Sequence, residues 1–253
     1  FAGTDAGEVL ALSLESGGPI WRTPVEGDVR QAPTLERDLV IVSTSKGYLY
    51  VLRAANGEVV WSRPLAQGLQ PAVAREGALL VSAEETLFCL DLAHGAIAWR
   101  FDAASPIATR PAVAGGSVLV GTERGMLHGL SLAAGREEWR YQARAALGGA
   151  PAAGGGMVYV ADRAGGVTAL RQEGGGVAWR AQLGPSILAA PLLARDALLV
   201  AGGDGSVAAL DPLDGRLLAR LALGAAIDTP PVAGDGLLYA RAGQIYALGS
   251  ATK

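Results

Sequence analysis

Only a few side chains in this sequence could act on a bound molecule, and their spacing limits what they could do. The two histidines, His94 and His128, fall in different local settings, a small-residue turn and an apolar run. They make a poor metal pair, because zinc needs several converging nitrogen or sulfur ligands. Cys89 is the only thiol, so neither an internal disulfide nor a cysteine metal cluster can form. It sits in the run Leu-Phe-Cys-Leu, where a buried packing role outweighs a nucleophilic one. Gly154-Gly-Gly156 and Gly174-Gly-Gly176 could cradle a phosphate only between a strand and a helix, and both read as turns. Asp204-Gly205 and Asp235-Gly236 read as hairpin turns. No Ser/His/Asp series has supporting context.

Two patterns of charge remain. Arg30, Arg110 and Asp228, with Asp28, Gln31, Gln70, Thr109 and Thr229, stand in segments that lead into a recurring proline. A hard divalent cation wants six or more oxygens, several of them charged, and Asp28 and Asp228 belong to non-adjacent repeats. The same segments could instead meet an anionic small molecule. The second pattern is Arg22, Arg100, Arg140, Arg180 and Arg220, each following the same slot of a repeat. One reading is a row of contacts to an acidic partner. The other is charge that keeps an outer strand soluble and unpaired.

The formal net charge is −3, with no block of like charges, which gives no electrostatic case for nucleic acid or an anionic membrane. The uncharged stretch Ala145 to Ala161 contains Gly148, Gly149, Pro151, Gly154, Gly155 and Gly156. So many breakers imply a strand, a turn and a strand in place of a membrane helix. The sequence opens on Phe1 with no visible signal peptide, so any cellular address must come from resemblance.

The elements that position these residues are set by a repeat. Tryptophans fall at Trp21, Trp61, Trp99, Trp139 and Trp179, spaced 40, 38, 40 and 40, and Ala219 takes the next slot. Four residues before each slot stands a glycine: Gly17, Gly57, Gly95, Gly135, Gly175 and Gly215. Prolines keep the same period from Pro33 to Pro231, and a further glycine series from Gly7 to Gly243 is interrupted only at Glu85. Within one period, Pro111–Gln142 reads as four short strands separated by Gly115-Gly116, Glu123-Arg-Gly125 and Ala134-Gly135. No segment carries the 3.6-residue period of a helix. Four short antiparallel strands per 40 residues describe an all-β propeller of four-stranded blades. In such a blade the inner strands are apolar on both faces, and the tryptophan of the outer strand packs on its neighbour.

The run Gly125-Met-Leu-His-Gly-Leu-Ser-Leu-Ala-Ala-Gly-Arg-Glu-Glu-Trp-Arg140 resembles the pyrroloquinoline-quinone (PQQ) repeat. So do Gly7 to Trp21, Gly47 to Trp61 and Gly165 to Trp179, and the resemblance covers essentially the whole chain. It implies one propeller domain over residues 1–253, with blades near 1–25, 26–65, 66–103, 104–143, 144–183, 184–223 and 224–253. Seven blades are then present, the first and last three-stranded, either as a closed ring or as the larger part of an eight-bladed one.

PQQ-type dehydrogenases hold calcium and the quinone on the propeller axis with carboxylate and amide ligands, and many alcohol dehydrogenases add a vicinal cysteine pair. This sequence departs from that pattern in its single cysteine and its few axial acids. Val160-Ala-Asp-Arg-Ala-Gly-Gly-Val-Thr-Ala-Leu170 and the run from Asp214 through Thr229-Pro-Pro-Val to Ile245-Tyr-Ala-Leu248 are instead similar to the BamB-type lipoprotein family of outer-membrane β-barrel assembly. That resemblance implies a monomeric, noncatalytic scaffold without a cofactor. By the same resemblance it would be periplasmic or otherwise extracytoplasmic, lipid-anchored to the outer membrane, with a protein partner, the barrel-inserting subunit, docked on loops of one face. No longer loop matching that contact stands out among the connections. The alternative is a ligand-sensing or PQQ-binding propeller, such as the extracytoplasmic part of a receptor kinase or a relative of the quinoprotein dehydrogenases.

Overall fold

Apolar, β-branched segments broken by glycine every few residues form strands throughout a computed structural model that describes residues 1–194, 196–234 and 237–249; no helix occurs among them. Asp235-Gly236, read above as a hairpin turn, lies outside the described residues.

Twenty-six strands make seven antiparallel sheets, each a meander in chain order. Sheet 1 holds β1 (Ala2–Gly3), β2 (Glu8–Leu12) and β3 (Pro19–Pro24). Sheet 2 holds β4 (Thr34–Glu36), β5 (Leu39–Ser43), β6 (Tyr48–Arg53) and β7 (Val59–Pro64). Sheet 3 runs through β8 (Val73–Arg75), β9 (Ala78–Ala83), β10 (Thr86–Asp91) and β11 (Ile97–Asp102). Sheet 4 comprises β12 (Ala112–Ala114), β13 (Ser117–Gly121), β14 (Met126–Ser131) and β15 (Glu137–Gln142). Sheet 5 comprises β16 (Ala152–Gly154), β17 (Met157–Ala161), β18 (Gly166–Arg171) and β19 (Val177–Gln182). Sheet 6 has β20 (Leu192–Leu193), β21 (Leu198–Ala201), β22 (Ser206–Leu210) and β23 (Leu217–Ala222). Sheet 7 has β24 (Val232–Gly234), β25 (Leu237–Ala242) and β26 (Gln244–Gly249). Among the described residues, five sheets therefore have four strands, and the first and last have three, as the repeat implies.

The chain divides into two compact units, residues 1–110 with sheets 1 to 3 and residues 111–253 with sheets 4 to 7. In each, consecutive sheets stack face to face and bury an apolar layer between them. Val9, Val40, Tyr50 and Leu52 fill the layer between sheets 1 and 2, and Ile41, Leu49, Leu79 and Leu90 that between sheets 2 and 3. In the second unit, Leu119, Leu127, Val158 and Leu170 lie between sheets 4 and 5. Tyr159, Val167, Leu198 and Leu210 lie between sheets 5 and 6. The first strands of neighbouring sheets run side by side, β4 with β8, β12 with β16 and β16 with β20.

Two buried faces explain why the second strands are continuously apolar: all of Ser117–Gly121 is buried. Outer strands alternate, as in Glu137–Gln142. On β23, where Ala219 takes the tryptophan slot, every residue is exposed. The outer strand joins its neighbour through a bulge that recurs in sheets 1 to 6, for example between Gly129 and Leu130 or Ala169 and Leu170. These sheets are propeller blades.

Candidate interaction surfaces

The tryptophans and glycines identified in the sequence meet across blades. The ring of Trp21 lies on Gly57 of the next sheet, so close that a β-carbon there would stand 2.6 Å from Cε3. Trp61 lies on Gly95, Trp139 on Gly175 and Trp179 on Gly215 in the same way, at 2.7, 2.5 and 2.5 Å. Three of the indoles also donate their N–H to a carbonyl of the sheet they dock on: Trp21 to Ala54 at 2.9 Å, Trp61 to Leu92 at 2.9 Å and Trp179 to Pro212 at 3.0 Å. Trp139 is buried like Trp179, yet its indole N–H has no acceptor among the described residues. Sequence reasoning assigned each glycine to the turn beside its own tryptophan. The turn role holds, since Gly57, Gly95, Gly135, Gly175 and Gly215 all have φ between 64° and 76°. What it missed is that the glycine also forms the floor for the preceding sheet's indole. Gly17 has the same φ class and nothing within 4 Å.

The residues leading into the first strands are held by their neighbours. Arg30 donates to Asp28 at 2.6 Å and lies 3.7 Å from Asp5. Arg110 donates to the carbonyl of Ala72 at 3.2 Å, which also accepts from Thr34 at 3.0 Å. Asp228 belongs to the second unit and is exposed. Among the described residues no three His, Cys, Asp or Glu side chains gather as metal ligands would. Asp28 is paired with Arg30. His94 is exposed with Nδ1 2.8 Å from Asp91. His128 is buried, with Nδ1 2.7 Å from Glu137. Cys89 is buried opposite Trp99, and burial pushes its thiol up to about 11. Both glycine triplets lie at turns between strands.

The five outer-strand arginines are all exposed but differ in their surroundings. Arg22 lies 3.7 Å from Glu8. Arg220 reaches Asp204 at 2.6 Å and Ser206 at 3.1 Å. Arg180 sits over the Tyr141 ring, 6.0 Å from its centroid. Arg100 and Arg140 have no carboxylate within 4.0 Å among the described residues.

Clefts open between blades. In the first unit a cleft of about 550 Å³ is lined by Glu84, Glu85, Asp102 and Phe88. In the second, one of about 890 Å³ includes Arg136, Glu138, Arg171 and Glu173. A smaller one of about 170 Å³ lies between Tyr141, Arg144, Asp162 and Arg180.

Blades of this register, locked by an indole on the next blade's glycine, define a β-propeller of PQQ-like repeats. Solved structures with the same fold include BamB from Moraxella catarrhalis, 20% identical, at a TM-score of 0.77 over 97% of this chain and 79% of that one. The quinohemoprotein alcohol dehydrogenase ADHIIG from Pseudomonas putida HK5 is 15% identical, at 0.72 over 96% and 54%. At such identities the likeness is one of fold. The chain belongs to the family described as outer membrane protein assembly factor BamB, whose model matches residues 1–89 and 83–253. The outer membrane protein assembly factors BamB of Burkholderia pseudomallei and Nitrosomonas eutropha are each 30% identical over 114 residues, 40% and 41% of this chain. Those matches span 29% and 27% of the relatives' own lengths.

Proposed function

We propose that this chain is a noncatalytic docking scaffold in outer membrane protein assembly, working on the periplasmic side and binding a protein subunit of the assembly machinery. The observation that carries this reading is the family match, which runs along the chain from end to end in two overlapping pieces. The side-chain chemistry supports it. At the entries to two first strands the arginines are spent, Arg30 on Asp28 and Arg110 on the carbonyl of Ala72. The deeply buried thiol of Cys89 is a packing group. What the blades offer to other molecules is exposed connections and outer strands, and connections on a rigid scaffold are where binding residues concentrate. Among the outer-strand arginines, Arg100, Arg140 and Arg180 are the ones left to meet a partner, because Arg22 and Arg220 face carboxylates of their own sheets.

The test is capture from an envelope extract with the purified chain as bait, read by mass spectrometry. Recovery of the barrel-inserting subunit of the assembly machinery supports the proposal. Repeated capture that never recovers any assembly subunit counts against it.

A further inference from the structure

The charges of sheets 4 and 5 differ from those of the rest of the chain. Residues 111–183 carry seven arginines and no lysine against five carboxylates, in a chain whose formal net charge is −3. Every arginine–carboxylate pair among the described residues lies elsewhere, on Arg22, Arg30, Arg37, Arg53, Arg216 and Arg220. The seven arginines of these two sheets have none.

The repeat shows which slot lacks a carboxylate. In sheet 6 the turn before the third strand places Asp204 against Arg220 of the fourth at 2.6 Å. Forty residues earlier the same two slots hold Ala164 and Arg180, and forty earlier again Arg124 and Arg140. The neutralising carboxylate is thus absent from sheet 5 and replaced by a like charge in sheet 4. Asp162, an acid at this corner, is 5% exposed and spends Oδ1 on the N–H groups of Ala164 at 2.9 Å and Gly166 at 3.0 Å. It holds the turn and reaches no arginine within 4.0 Å.

Two of these arginines line one small opening, while Arg136 and Arg171 line the larger cleft. Arg144 and Arg180 line the cleft of about 170 Å³ with Tyr141, Thr168 and Gln182. Gln182 is held by the carbonyls of Ala164 and Gly184 at 2.7 and 2.9 Å, and Tyr141 is 3.2 Å from Thr168. Two further arginines are carried by backbone tied to the same connection. The Arg124 carbonyl accepts from Gln142 at 2.9 Å, and the Arg163 N–H donates to Ala146 at 2.9 Å.

We propose that this corner of sheets 4 and 5 is the socket for an acidic segment of a protein partner, with a carboxylate side chain entering between Arg144 and Arg180. The inference rests on the scaffold reading and names the chemistry of its partner. A guanidinium presents a planar donor fork that matches a carboxylate, and the cleft has room for one side chain. Isolated carboxylates suit it better than a continuous phosphate backbone, because Glu123 and Asp162 stand among the arginines and would repel a charge at every step.

The test uses the whole chain and a short fluorescent peptide of alternating Glu and Gly, with anisotropy read at low and moderate salt. Saturable binding that weakens with salt, falls by about tenfold or more in Arg144→Glu/Arg180→Glu and stays within about twofold in Arg22→Gln/Arg220→Gln supports the socket. Arg144→Glu alone, on an exposed connection, serves if the double variant fails to give the parent's circular dichroism. Absence of peptide binding, equal loss in both double variants, or tighter binding of a polyphosphate or an oligonucleotide overturns it. The two proposals separate in one experiment. If the parent and Arg144→Glu/Arg180→Glu capture the assembly subunit equally, the socket is wrong and the scaffold stands; if neither captures it, the scaffold reading fails.

Discussion

At the scale of single residues, the indoles make the sharpest comparison. Trp179 and Trp139 are buried alike and both lie on a glycine of the next sheet, but only Trp179 donates its N–H. Truncation of either to Ala should cost about 3 to 5 kcal/mol, the usual range for a large buried side chain. Substitution by Phe should separate them. Trp179→Phe removes one of two hydrogen bonds to the carbonyl of Pro212, which keeps the Tyr159 hydroxyl at 3.1 Å, whereas Trp139→Phe removes a donor that has no acceptor among the described residues. Trp179→Phe should therefore cost about 0.5 to 1.5 kcal/mol more in reversible denaturant melts. Cys89 gives a second prediction. With the thiol raised to about 11, almost no thiolate forms at pH 8, and a thiol reagent should label Cys89 only as fast as the chain unfolds. The tryptophan, glycine and cysteine positions were all legible in the sequence because each kept a fixed slot in the period. The donor state of each indole was not, since it depends on where a carbonyl one sheet away comes to rest.

At the scale of the blade, glycine pairs test how sheets are locked. Gly174 and Gly175 both have positive φ, 76° and 67°, so alanine is strained at either. An added β-carbon at Gly174 meets nothing within 4 Å, while at Gly175 it would stand 2.5 Å from Cε3 of Trp139. Gly175→Ala should therefore be the more destabilising by about 2 kcal/mol, with a drop in tryptophan fluorescence anisotropy or near-UV signal that Gly174→Ala does not show. The Asp204 corner carries the pH dependence of sheet 6. The Ser206 hydroxyl, and after it the Ser206 N–H and Arg220, hold the Asp204 carboxyl below its ordinary 3.8. A depressed carboxylate stabilises the fold above its unfolded value and loses that contribution as pH falls through the folded one. The melting difference between the parent and Asp204→Asn should be present at neutral pH, amount to less than about 1 kcal/mol for so exposed a pair, and vanish in acid.

The strand count and the three-stranded first and last sheets followed from the repeat. The spacing of 38 between Trp61 and Trp99 was visible too, but its cause was not. Pairing shows four residues between Ser82 and Leu87 where the corresponding hairpins between Ser43 and Leu49, or Gly121 and Leu127, have five. Eight residues join β7 to β8 where nine join β3 to β4 and β11 to β12, so each place has one fewer. The shortened turn is the one in which Glu85 stands in the glycine series and opens the cleft beside Phe88. Register, and hence the place of a deletion, is set by pairing partners that a linear spacing does not identify.

At the scale of the molecule, the family match and the fold say which kind of protein this is, while surface charge says where it would work. Fold alone does not assign function: a quinohemoprotein dehydrogenase shares these blades at 15% identity. The scaffold account expects PQQ with calcium to leave the melting temperature unchanged. A saturable upward shift would mean that residues at the entry to the first strands assemble a cofactor site. The outer-strand arginines stood out in the sequence as one series, and the structure divides them. Arg22 and Arg220 are matched within their sheets, Arg180 rests on Tyr141, and Arg100 and Arg140 have no carboxylate within 4.0 Å among the described residues. Periodicity reveals a slot, but whether its charge is spent depends on what occupies the neighbouring turn.

The most direct measurement is equilibrium binding of the purified chain to the isolated barrel-inserting subunit of the assembly machinery, followed by calorimetry. The scaffold account predicts a saturable one-to-one complex with a Kd of about 10 μM or tighter, in the range of transient protein partners. No heat and no complex with a folded chain at about tenfold higher concentration would contradict it.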